Sequence, residues 1–109
     1  MNLDDPCYRH NKKNQGCKNK VLEALLAIQP KVLLEEGCHQ YEPLDDVQSE
    51  LPRQVSFRSD TIVLIEQWES VENLKTHLAT PLLKQYQKMV GDWVQNVSLQ
   101  VLKSVDKLL

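Results

Sequence analysis

The chain has 109 residues, 41% of them hydrophobic and 26% charged, with a formal net charge of -2 at pH 7. That length supports one core and leaves little room for a deep, closed active site. The small negative charge argues against nucleic acid, which a basic stripe would announce, and no apolar run approaches the roughly 20 residues that a bilayer-spanning helix needs.

Residues 1–17 read as a polar segment of their own. No aliphatic residue lies between Leu3 and Val21, and Pro6, Asn11, Asn14, Gln15 and Gly16 disfavour helix and strand alike. Arg9, Lys12 and Lys13 make the segment locally basic, which a solvated terminus accounts for. It lacks the apolar stretch of a signal peptide. Cys7, Cys17 and Cys38 are odd in number with no CxxC spacing, a pattern that fits thiols in a reducing cytoplasm better than a disulfide framework. A zinc site built on Cys7, His10 and Cys17 would have only three ligands at an unfamiliar spacing, so no metal is expected.

Residues 18–109 make the predicted domain. Val21, Leu22, Leu25, Leu26, Ile28, Val32 and Leu33 fall largely on one side of a 3.6-residue repeat, the mark of a helix lying on a core. Pro30 predicts a kink or a restart, because proline removes a donor and crowds the preceding turn. Gly37 stands where a left-handed C′ residue would stop the helix. A strand is expected over His39 to Pro43, with His39 and Tyr41 on one face and Cys38 on the other. A polar link through Asp45, Asp46, Ser49 and Pro52 follows, with room for a short strand over Val55 to Phe57.

Thr61 to Trp68 is the strongest strand signal, and its consecutive Ile62, Val63, Leu64 and Ile65 predict that both faces are covered. Ser70 caps a helix through Leu78, and Thr80 with Pro81 at the first helical position starts another that Gly91 ends. Val94 to Val105 alternates Val97, Leu99 and Val101 with Asn96, Ser98 and Gln100, which predicts a last strand. The order is that of an α+β fold, an antiparallel sheet with helices on one face. An apolar outer sheet face predicts pairing with a second copy.

Two motifs carry a family resemblance. Glu36-Gly37-Cys38 with Tyr41-Glu42, and Ile65-Glu66-Gln67-Trp68-Glu69-Ser70 followed by His77-Leu78 and Pro81, resemble the antibiotic biosynthesis monooxygenase domain, which includes quinol monooxygenases. The resemblance covers roughly residues 21–105. It implies a ferredoxin-like unit whose two copies pack sheet to sheet as a dimeric α+β barrel. It also implies oxidation of a quinol or related small aromatic by molecular oxygen with no cofactor. The family's apolar first strand would fall on the polar segment at 7–17, so that strand is expected to be degenerate or missing. The haem-degrading branch places an axial histidine on the helix after Pro81; here that helix has Tyr86, Gln87 and Met89, and haem is not expected.

The candidate site follows from strand geometry and from the resemblance together. Leu64, Glu66 and Trp68 share one strand face by their period of two, and would line a pocket if that face looks under the helices. Otherwise Trp68 fills the core and Glu66 pairs with a backbone group or a lysine. His77, in the last turn of its helix, is the residue type suited to trading protons near neutral pH, or else it caps and packs. For an oxygenase, His77 or a desolvated Glu66 would take a proton from the quinol. Tyr41 and Tyr86 could offer hydroxyls to its oxygens. The rival expectation is a non-catalytic dimeric barrel, a small-molecule-binding or stress-associated protein; an isomerase of small carbonyl compounds is a third.

Overall fold

Helix α1 (Gln15–Val32) opens the computed structural model, which describes residues 15–106. Expectations placed on Cys7, His10, Asn11 and Asn14 therefore lie outside the described residues. Cys17, Val21, Leu25 and Val32 are buried at helical spacing, so the predicted apolar stripe is the face that packs. Pro30 neither breaks nor restarts the helix. It sits in the final turn, where only the bond its own nitrogen would have donated is lost, and Leu33 N–H still reaches Gln29 O at 3.0 Å. Cys17 is disulfide-bonded, contrary to its reading as a thiol, whereas Cys38 is free.

Gly37 does not stop α1, which ends five residues earlier. It sits instead in the turn that opens the sheet, where Cys38 N–H donates to Glu35 O at 3.1 Å and Gly37 has a φ of +82°. A positive φ at the third position of such a turn favours glycine. A Cβ at Gly37 would also collide with the Asn73 side chain. Gly37→Ala is therefore expected to cost about 1–3 kcal/mol, read as a lower urea midpoint with an unchanged slope.

Strands β1 (Cys38–Leu44) and β2 (Val63–Trp68) pair antiparallel. Cys38 faces Trp68, and Gln40 faces Gln67, so two residues of β1 advance against one of β2. The bulge makes His39 the extra residue and corrects the simple alternation expected there. Cys38 and Tyr41 both point to the core, while His39 turns outward to Glu69, 2.7 Å away. In β2 the alternation holds: Leu64, Glu66 and Trp68 are half-buried, whereas Val63, Ile65 and Gln67 are exposed. The expectation of two covered faces fails in the single chain, since nothing among the described residues covers Val63 and Ile65, each 41% exposed.

Helices α2 (Val71–Leu78) and α3 (Pro81–Val90) begin as predicted. Ser70 Oγ accepts from Asn73 N–H at 3.1 Å, and Thr80 Oγ1 accepts from Leu83 N–H at 3.2 Å, each satisfying an orphan donor of the first turn. The core gathers Val21, Leu25 and Val32 of α1, Tyr41 of β1 and Val90 of α3, flanked by Leu64, Trp68, Tyr86 and Trp93.

The other two predicted strands are not formed. Residues 46–58 are instead a loop closed at its base by Arg58, whose guanidinium grips both oxygens of Asp46 at 2.8 Å. That grip holds the Asp46 carboxyl below the usual carboxylate range. Residues 95–106 are exposed and carry no regular structure. A strand needs a neighbour as well as an alternating pattern, and among the described residues this stretch has none.

Candidate functional site

The inner face of β2 carries the site. Glu66 is held by Trp68 two residues on, whose indole Nε1–H donates to Glu66 Oε1 at 2.8 Å. The period-two geometry makes this possible, since i and i+2 side chains stand together on one face. No other hydrogen bond to Glu66 is made among the described residues, so its second oxygen is available to a ligand.

Two cavities open on this face. One, of about 260 Å³, is lined by Leu64, Glu66 and Trp68, by Leu74 of α2, and by Leu99 to Lys103. The other, of about 640 Å³, is lined by Val21, Leu25, Leu64, Glu66, Tyr86 and Trp93, by Val94 to Gln100, and by the charged Lys18, Arg58 and Asp60. Leu64 and Glu66 belong to both. Glu66 is thus a carboxylate shared by two cavities of mixed apolar and polar lining. The larger cavity also has an unsatisfied donor beside it, because Trp93 Nε1 is buried without a hydrogen-bond partner among the described residues.

Behind Trp68 lies a packed aromatic layer. His77 is 1% exposed, and its ring lies 4.7 Å from the Trp68 ring, centroid to centroid, at 33°. Tyr41 also meets the His77 ring, edge-on, with the centroids 5.6 Å apart. His77 Nδ1 is 2.9 Å from Glu35 Oε1. An ionised carboxylate only accepts, so Nδ1 carries the proton and the ring orientation is fixed. The backbone of Tyr41 is tied in turn to α1, Gln29 Nε2 donating to Tyr41 O at 2.7 Å.

The six residues expected at a site are therefore brought together in two layers. Leu64, Glu66, Trp68 and Tyr86 border the cavities. His77 and Tyr41 are buried behind them, and neither lines either cavity. Glu35 is the residue that sequence reasoning missed. It lies 42 positions from His77, and the only signal was its place beside the Gly37 turn that brings it back over α2.

Burial pushes the Tyr41 hydroxyl well above its ordinary range, helped by the nearby carboxylate of Glu66; burial also raises Tyr86. The folded chain then keeps protons that the unfolded chain releases above about pH 10. Stability should be unaffected below that pH and fall as pH climbs past it. Urea midpoints between pH 8 and 11 are expected to drop, with a shallower drop for Tyr41→Phe.

Comparison with known proteins gives a consistent result. Residues 11–89 match the model of the family described as Antibiotic biosynthesis monooxygenase. The chain is 40% identical over 89 residues to the protein described as "Probable quinol monooxygenase YgiN" of Escherichia coli (strain K12), covering 82% of this chain and 85% of that one. Proteins of the same description from Escherichia coli O157:H7 and Shigella flexneri match to the same extent.

Proposed function

The chain belongs to the antibiotic biosynthesis monooxygenase family, and from that premise we propose that it oxidises a quinol or related small aromatic with molecular oxygen, without a cofactor. The observation that carries the proposal is Glu66, a carboxylate anchored on one oxygen by the Trp68 indole and set in the common wall of two cavities lined by both apolar and polar residues. A quinol seated against Trp68 and Leu64 would bring a hydroxyl to the free oxygen of Glu66. Glu66 takes that proton, and the electron-rich anion reacts with oxygen directly. In the complete reaction one oxygen atom enters the ring as a new hydroxyl and the other leaves as water. The quinol supplies the four electrons and becomes a hydroxyquinone.

The geometry divides the roles of the remaining residues. Glu66 is the group we assign to proton transfer. His77 has no opening to either cavity, so its part is to hold Trp68 in place from behind, with Glu35 fixing its ring. Tyr86 lines the larger cavity, and we assign it the hydroxyl that would meet a quinol oxygen. The exposed outer face of the sheet, with Leu44, Val63 and Ile65, supports a homodimer in which two such faces pack together as a barrel. No helix among the described residues is long and apolar enough to cross a membrane.

The test is oxygen uptake by metal-free protein supplied with a series of reduced quinones. Uptake above the autoxidation rate is expected. A flat trace with every quinol would leave a binding protein in place of an oxygenase.

A further inference from the structure

One buried donor in the chain is spent on nothing. Among the described residues, Trp93 Nε1 is the only buried side-chain nitrogen or oxygen without a hydrogen-bond partner. An indole N–H donates and cannot accept, and folded chains rarely bury such a group unpaired. The place of the ring points to a ligand as the missing acceptor, because Trp93 borders the larger cavity, the one that also holds Glu66 and Tyr86.

The ring is held where it stands. Trp93 follows the end of α3, in a turn closed by Trp93 N–H and Val94 N–H, which both donate to Val90 O, at 2.8 and 3.1 Å. From there the indole packs against the buried core cluster. Lys20 Nζ of α1 stands 5.3 Å from its ring centroid, a cation held against the π face. Packing and charge together oppose the turning that would carry the N–H out to water. The stretch that follows is held less firmly: residues 95–106 carry no regular structure, so a ligand oxygen can displace them to reach the N–H.

Three polar groups of this cavity then prescribe what fills it. Glu66 accepts through the oxygen that Trp68 leaves free. The Tyr86 hydroxyl makes no hydrogen bond among the described residues, and burial keeps it protonated and able to donate. Trp93 adds a donor that can meet nothing but an acceptor. We propose that Trp93 Nε1–H binds a second oxygen of the substrate, so that the larger cavity selects an aromatic ring carrying two oxygens over a ring carrying one. The inference rests on the quinol reading above and adds to it a residue that sets specificity. One N–H serves both ends of that reaction, since a quinol hydroxyl and a quinone carbonyl each accept.

Binding to the wild-type chain under nitrogen tests this, with hydroquinone and p-cresol as probes; the second has a methyl group in place of one hydroxyl. The chain has two tryptophans, so a ¹⁵N correlation spectrum holds two indole N–H signals, each assigned from its ring-to-backbone NOEs. Hydroquinone is expected to bind about 5- to 150-fold more tightly than p-cresol, the range for one buried hydrogen bond made rather than left unmade. It should also move the Trp93 signal downfield, where p-cresol does not. Trp93→Phe, which keeps an aromatic ring and removes the N–H, should lose that same factor of preference. Equal affinity for the two probes would overturn the proposal, as would hydroquinone binding that leaves the Trp93 signal unmoved, or no binding of either at millimolar concentration. The wild-type signal decides the matter even if the variant fails to fold. Oxygen is absent throughout, so the two readings separate. Selective binding by a protein that consumes no oxygen in air would keep this assignment and remove the oxygenase, whereas uptake with an unmoved Trp93 signal would do the reverse.

Discussion

Glu66→Gln should lower kcat/KM for quinol-dependent oxygen uptake by about 10²–10⁴-fold, the range for removing a positioned general base. The amide keeps an oxygen that can accept from the Trp68 indole, so the side chain can hold its place at 2.8 Å. What it loses is the ability to take the quinol's proton. The unfolding midpoint should therefore move little, and the KM should move less than kcat. The pH profile is an added readout, because uptake by the variant should depend only on spontaneous ionisation of the quinol. A variant as active as the wild type would take Glu66 out of the chemistry.

The second large effect concerns stability. Glu35→Ala should cost about 2–4 kcal/mol, because it leaves the Nδ1–H of a fully buried His77 without an acceptor. Glu35→Gln retains an acceptor at that place and should lose less than half as much. For a domain of this length a loss of that size lowers the melting temperature by roughly 10–25 °C. Equal losses for the two variants would mean that the contact contributes packing alone. A looser His77 ring would also release Trp68, which stacks on it, so KM should rise in Glu35→Gln even at temperatures where it is fully folded.

Local chemistry was legible in the sequence and long-range chemistry was not. Ser70 and Thr80-Pro81 announced their caps because a cap is decided within four residues. The common face of Leu64, Glu66 and Trp68 followed from the period of two, and the Trp68 to Glu66 hydrogen bond is local in the same sense. The sequence marks Gly37 as a special backbone position, but its place in a turn depends on the Glu35 carbonyl and the approach of Asn73. The bulge at His39 was invisible, because it is a property of pairing between two strands. The same reason hid the Glu35–His77 pair. It also explains why 94–105 could be read as a strand and yet form none here: periodicity belongs to the sequence, whereas a ladder belongs to a neighbour.

The layered arrangement also revises how the histidine is to be understood. The imidazole is buried against Trp68 and Tyr41 and lines neither cavity. The half-buried carboxylate in front of it lines both. Reactivity on this account lies with the strand and rigidity with the helix behind it.

Incubating the metal-free protein with a reduced quinone under ¹⁸O₂, and weighing the product, follows the oxygen atom itself. One labelled atom in the product quinone, at a rate that Glu66→Gln reduces at least a hundredfold, is the predicted result. Unlabelled quinone, or labelling that proceeds equally well without the carboxylate, would contradict it.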